Sequence, residues 1–249
     1  MHYQEPVETT KPHKQAYLDG LEGLIEILQT RAAETRRDYC RNITADPEAY
    51  RRDLRALLGW PLTDPAPAAP PRVTARELSR EAGYTLSRLQ IEVLPGVRLS
   101  GLLFRLDGDT PRPLVLAQHG KMGTPERISG VYGGTSNYNQ MVSRMLARDV
   151  HIFAPQLCLW GDSYQVPFDR IALDARLKRL GSSVAAVEIY GLLRVLDHFV
   201  AQPYVSCLGM AGMSYGGFYT LMTAALDTRL RSALCCSYFN KRDAAPWSD

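Results

Sequence analysis

The sequence has few of the features that mark special-purpose chains. Only five of its 249 residues are cysteine, scattered at Cys40, Cys158, Cys207, Cys235 and Cys236. An odd, dispersed set does not build a disulfide framework and fits reduced core thiols in a cytoplasm. No Cys-x-x-Cys or His-x-x-x-His pair occurs, so the spacing supports no metal site. Residues Met1 to Pro6 lack the apolar centre of a secretory signal, and no run approaches the roughly 18–20 apolar residues that cross a bilayer. No membrane association is expected. Neither the 19 glycines nor the 16 prolines recur with a period, which excludes collagen-like and solenoid architectures.

Charge of one sign is scarce too. Twenty-nine Lys and Arg against 26 Asp and Glu leave a net charge of +3. Residues 1–60 carry nine basic and ten acidic groups, and even Arg31 to Arg55 is interleaved with Glu34, Asp38, Asp46, Glu48 and Asp53. Mixed signs at that density describe a solvated helical face rather than a nucleic-acid stripe, so no nucleic-acid partner is expected. What the chain does have is apolar material. A hydrophobic fraction of 45% is enough to build a core and offset the ordering entropy.

Residues 14–40 read as a helix, because Tyr17, Leu18, Leu21, Leu24, Ile25, Leu28 and Ala32 recur at three and four and form one stripe for a partner. A second helix runs from Pro47, after Asp46 as cap, to Leu58. Five prolines between Pro61 and Pro71 then suggest an extended connector. The expected division is a helical extension with its connector over 1–71 and a main body over 72–249.

After the connector the period changes. Leu86 to Val93 and Arg98 to Phe104 alternate as strands joined at Pro95-Gly96. Leu114 to Ala117 and Val150 to Ala154 read as buried strands, and Val205 to Met210 and Leu230 to Tyr238 as further strands, six strands in all. Helices are expected from Ser136 to Arg148, Asp169 to Leu180, Ser182 to Val200 and Tyr215 to Leu226. Asp197 and Glu188 read as solvated helix residues, Met210, Met213 and Met222 as core filler, and Gly130, Gly133 and Gly134 as a mobile loop. Strands alternating with helices imply crossovers and a mostly parallel sheet of α/β class. Ligands then bind beyond the carboxyl ends of the strands.

One such end carries Gly212-Met213-Ser214-Tyr215-Gly216, a G-x-S-x-G between a buried strand and a helix. A serine in that strained turn is crowded by strand and helix backbone, so its flanking glycines answer a steric demand. The helix N-terminus beneath it favours developing negative charge.

On the elbow with Phe218-Tyr219-Thr220, on Leu114 to Gly120, on Phe153-Ala154-Pro155-Gln156 and on Cys235 to Asn240, residues 84–240 resemble the α/β-hydrolase superfamily. The closer likeness is to bacterial dienelactone-hydrolase-like and acetyl-xylan-esterase-like proteins. The resemblance implies cleavage of a carboxylic ester through an acyl-serine, without metal or organic cofactor. Ser214 would be the nucleophile, and the amides of Lys121 and Tyr215 would hold the oxyanion. His119, Gly120, Gln156 and Trp160 are candidate substrate-binding residues. Thioester or carbon–carbon hydrolysis on the same fold stays open.

The chain departs from that pattern in one respect. The family orders its triad serine, acid, histidine, whereas His2, His13, His119, His151 and His198 all precede Ser214. Asp243 is a weak candidate for the acid. His119, at a strand's carboxyl end, is the one histidine that could approach Ser214, and its expected role is to shape the oxyanion loop. The expectation is therefore a hydrolase core truncated after its sixth strand, with self-association through the exposed last strand. The rival reading is an inactive hydrolase-like binding module.

Overall fold

The computed structural model describes residues 2–64, 67, 69–134, 138–159, 166 and 168–239. The chain divides into two compact units, Met1–Arg51 and Arg52–Asp249.

The first unit is dominated by α1 (Val7–Asn42), longer at both ends than its apolar periodicity indicates. The Tyr39 and Tyr50 rings meet at 6.0 Å between centroids and join α1 to the start of α2 (Pro47–Leu58). Asp46 caps α2 by accepting the Ala49 N–H at 2.9 Å. The apolar stripe on α1 lies at the surface, from 37% exposure at Leu21 to 68% at Tyr17.

The second unit is a seven-stranded sheet in the order β1-β2-β3-β5-β4-β6-β7. The strands are β1 (Val73–Glu81), β2 (Tyr84–Leu94), β3 (Val97–Leu106), β4 (Arg112–Gln118), β5 (His151–Pro155), β6 (Val205–Met213) and β7 (Leu230–Cys236). Between β4 and β5 lie two short helices, α3 (Pro125–Ser129) and α4 (Met141–Leu146), and α5 (Arg170–Lys178) and α6 (Val184–Val200) follow β5. The last helix, α7 (Tyr215–Leu226), connects β6 to β7. Among the described residues no helix is long and apolar enough to cross a membrane.

The sheet is mixed, not mostly parallel. Pairings β1–β2, β2–β3 and β3–β5 are antiparallel, and only β5–β4, β4–β6 and β6–β7 are parallel. For β1–β2 and β2–β3 the physical reason is connection length. Gly83 at φ +98° and Gly96 at φ +75° close tight hairpins, too short for the crossover that a parallel pair needs. The expected hairpin at Pro95-Gly96 is present, with Leu94 opposite Val97. The count of strands is seven rather than six because β1 is half-buried at best and lacks apolar alternation.

Alternate residues of the central strands enter two cores. Leu114 and Leu116 of β4 and Phe153 of β5 pack with Leu192, Val195, Leu196 and Phe199 of α6. Ile152 and Ala154 of β5 and Ala117 of β4 pack with Ile128 of α3 and Val142 of α4 on the other face. Helix α6 starts where Ser183 accepts the Ala186 N–H, and α5 where Asp169 accepts the Ala172 N–H.

Several expectations are corrected. Glu188 is not solvated but buried on α6, where it meets Arg170 and Tyr219. Asp197 is held between Arg194 and Arg229, accepting from Arg229 at 2.6 Å. Buried Arg194 also donates to the carbonyls of Pro67 at 3.1 Å and Ala69 at 2.7 Å, which fastens the Pro-rich connector to α6. None of the cysteines is a core thiol: Cys40, Cys158 and Cys236 are exposed, and Cys207 and Cys235 half-buried. The segment beyond Gly120 is not simply a glycine loop, because Thr124 caps the five-residue α3 and Gly130 ends it at φ +79°. Residues 136 and 137 of the next expected helix lie outside the described residues, and α4 occupies only Met141–Leu146 of that range.

Candidate active site

Three parallel strands end side by side. Gln118 of β4 lies opposite Gly212 of β6, and Met213 of β6 opposite Cys236 of β7. Ser214 follows at φ +57°, ψ −124°, a conformation that non-glycine residues adopt at a cost of about 1–3 kcal/mol. The Ser214 N–H donates to the Cys236 carbonyl at 2.8 Å, and the Phe218 N–H returns to the Ser214 carbonyl at 3.2 Å. The serine is thus clamped between the last ladder bond of β6–β7 and the first turn of α7.

The flanking glycines have the predicted cause. A Cβ on Gly212 would collide with the Gly216 carbonyl, and one on Gly216 with the carbonyls of Gln118 and His119. Gly217 is equally confined, since a Cβ there would lie 2.9 Å from the Cys236 carbonyl oxygen. The turn after β4 closes on Ser214 from the other side. A Cβ on Gly120 would stand 2.9 Å from the Met213 oxygen and 3.3 Å from Ser214 Cβ. Gly120, Lys121, Met122, Arg127, Tyr138, Met213 and Ser214 enclose a hollow of about 170 Å³. Met213 therefore lines this hollow rather than filling the core. A larger hollow, of about 560 Å³, lies beside Tyr204 at the amino edge of β6, remote from this serine.

His119 is fully buried behind the turn. Its Nε2 accepts the Leu157 N–H at 3.1 Å, so Nδ1 carries the proton and donates to the Gly120 carbonyl at 3.0 Å. Burial pushes its pKa down to about 4, against the opposing pull of the Gly120 carbonyl. With both ring nitrogens engaged, His119 has none left to take a proton from Ser214. Its bond to the Gly120 carbonyl braces the turn instead. His151 is equally occupied, accepting the Leu106 N–H at 3.0 Å and donating to the Tyr204 carbonyl at 3.2 Å. His198, on α6, borders the remote hollow beside Tyr204.

The structure thus brings Ser214, Tyr215, Gly120 and Lys121 together, with His119 behind them. It does not bring Gln156, whose amide donates to the Leu157 carbonyl at 2.8 Å and which is not among the described residues lining the hollow. Trp160 and Asp243 lie outside the described residues. Tyr138 is a site residue that sequence reasoning misses. Its hydroxyl accepts the Gly120 N–H at 2.9 Å, and a Cβ on Gly123 would collide with it. The only trace in the sequence is the unexplained glycine at 123.

Chemically, a strained serine at a helix N-terminus, with a second turn of backbone amides against it, can present a nucleophile and stabilise an oxyanion. Among solved structures, the fold is similar to a Bacteroides fragilis protein assigned as an acetyl xylan esterase, with a TM-score of 0.62 at 17% identity over 75% of this chain and 52% of that one. It is also similar to the acetyl xylan esterase of Paenibacillus sp. R4, with a TM-score of 0.52 at 16% identity over 75% and 58%. Acetyl xylan esterase 1 of Thermoanaerobacterium sp. JW/SL YS485 gives a TM-score of 0.51 at 16% identity over 75% and 56%. No protein-family model and no curated protein sequence matches the chain. At these identities the likeness is one of fold alone. The chain spans about half the length of the structures it matches.

Proposed function

We propose that this chain carries the nucleophile and oxyanion site of a serine hydrolase acting on short-acyl carboxylic esters. The observation that carries the reading is Ser214 at φ +57° on the β6–α7 turn, with the Gly120–Lys121 turn packed against it. The esterase neighbours agree with it, and a hollow of about 170 Å³ suits an acyl group as small as acetyl. In this mechanism Ser214 Oγ attacks the ester carbon, giving its proton to a general base, and the Lys121 and Tyr215 amides hold the oxyanion. Collapse expels the alcohol, which takes up that proton, and leaves an acyl-serine. Water, deprotonated by the same base, then releases the acid and restores the serine. Each oxyanion donor is worth about 3 kcal/mol of barrier.

The base and its acid are proposed to come from chain outside the described residues, Asp243 being one candidate for the acid. Five free cysteines suit a reducing compartment such as the cytoplasm. The second reading, an inactive module that binds a partner or small ligand, is favoured by one observation: the buried histidine nearest the site has both nitrogens bonded.

Fluorophosphonate labelling separates the two. An activated serine displaces fluoride, so labelling of Ser214 that disappears in Ser214→Ala supports the hydrolase. A clean negative on folded protein that also contains that base favours the binding module.

A further inference from the structure

The 36-residue α1 has no core of its own to rest on. Most helical stability in proteins comes from packing an apolar face, and Gly20 and Gly23 in its interior cost about 1 kcal/mol each. Its apolar residues are nonetheless at the surface: Leu18, Leu21, Leu24, Ile25 and Leu28 are 37–52% exposed. Their spacing is specific. Leu18, Leu21, Ile25, Leu28, Ala32 and Thr35 follow one another at three and four, the repeat of a coiled-coil seam.

Charge along the helix is segregated. Residues 17–29 contain Asp19, Glu22 and Glu26 with no Lys or Arg, a net of −3. Residues 30–42 contain Arg31, Arg36, Arg37 and Arg41 against Glu34 and Asp38, a net of +2. A parallel pair of such helices would stack acid on acid and base on base. An antiparallel pair puts each acidic half on the partner's basic half. The same arrangement solves the packing, because Leu18 then faces Thr35, Leu21 faces Ala32 and Ile25 faces Leu28, each twice about one two-fold axis. Large residues meet small ones in the outer layers, and two aliphatic layers fill the centre.

We propose that α1 is a dimerisation helix whose occupant is α1 of a second copy, antiparallel and in this register. The test uses the full chain carrying Leu234→Lys, which takes the β7 edge out of contention, with mass measured by light scattering from 1 to 100 μM. The expected result is twice the chain mass, falling to the chain mass when Leu21→Glu, Ile25→Glu and Leu28→Glu are added. These sites are exposed, and unchanged circular dichroism from the sheet domain confirms folding. Raising NaCl from 0.05 to 1 M weakens an antiparallel dimer several-fold, whereas a parallel one would tighten as like charges are screened. A monomer throughout overturns the proposal, as does a dimer that the three glutamates leave intact. A dimer tightened by salt overturns the antiparallel register. A monomer that co-sediments with anionic phospholipid vesicles through this stripe overturns it in favour of a membrane surface.

Discussion

At the residue scale, His119 makes a measurable prediction. Its folded pKa, lowered to about 4, lies below the ordinary histidine value of 6.5, so the folded state binds fewer protons than the unfolded state between them. The stability it contributes is complete above pH 6.5 and is lost as pH falls toward 4, roughly 3 kcal/mol in total. Urea denaturation at pH 7 and at pH 4 should show a clearly smaller difference in His119→Gln than in the wild type. Equal pH dependence would mean that the buried ring is not the group being titrated. Gly212→Ala tests the steric reading of the elbow: a methyl against the Gly216 carbonyl should cost at least about 2 kcal/mol by the same measurement. The elbow was legible in the sequence because each of its glycines answers a clash within the turn and its own neighbours. Tyr138 was not, because its hydroxyl reaches Gly120 across 18 positions of chain by an approach that leaves no local signature.

At the element scale, α7 was readable, running from Tyr215 to Leu226 as its sequence pattern indicates. Strand β1 was hidden because it is an edge strand studded with Arg76, Glu77, Arg80 and Glu81, and α3 because five residues carry too little periodicity. The misread Glu188 has a related cause, since a carboxylate on a helix looks solvated until its partners arrive from other elements. Arg170 on α5 donates to Tyr219 on α7 at 2.8 Å and to Glu188 on α6 at 3.3 Å, while Glu188 also accepts the Cys158 N–H at 2.5 Å. Burial raises the Glu188 pKa, with the Arg170 charge opposing. The cluster ties α5, α6, α7 and the strand-end loop after β5 into one body. Glu188→Gln leaves Arg170 buried beside a neutral partner and should destabilise by about 3 kcal/mol or more. Replacing both, as Arg170→Met with Glu188→Leu, should cost less than Glu188→Gln alone, because no unpaired charge remains. The reverse order in urea denaturation would mean that the bridge itself, not relief of a stranded charge, carries the stability.

At the scale of the whole molecule, the two edges of the sheet are treated differently. The outer edge is β1, whose alternating charges and short hairpin discourage another strand. The other is β7, which pairs only with β6 among the described residues and carries a single charge, Arg231, in Leu230–Cys236. Leu234 is 58% exposed there and Cys236 is exposed as well. Parallel strands at the heart of such a sheet are ordinarily covered on both sides, and β7 forms one wall of the elbow by accepting the Ser214 N–H through Cys236. An edge with unpaired backbone groups and little charge takes up another strand, and in a solution of this chain alone the strand on offer is β7 of a second copy. Concentration-dependent light scattering above about 10 μM is therefore expected from this edge, in addition to any discrete dimer. Leu234→Lys, which places a charge on the edge without entering either core, should reduce that scattering several-fold while leaving the cooperativity of unfolding unchanged. If scattering is the same in Leu234→Lys, β7 is not the sticky edge. If the variant instead unfolds, Leu234 is holding the β6–β7 ladder, and Ser214 would lose the carbonyl that positions its backbone.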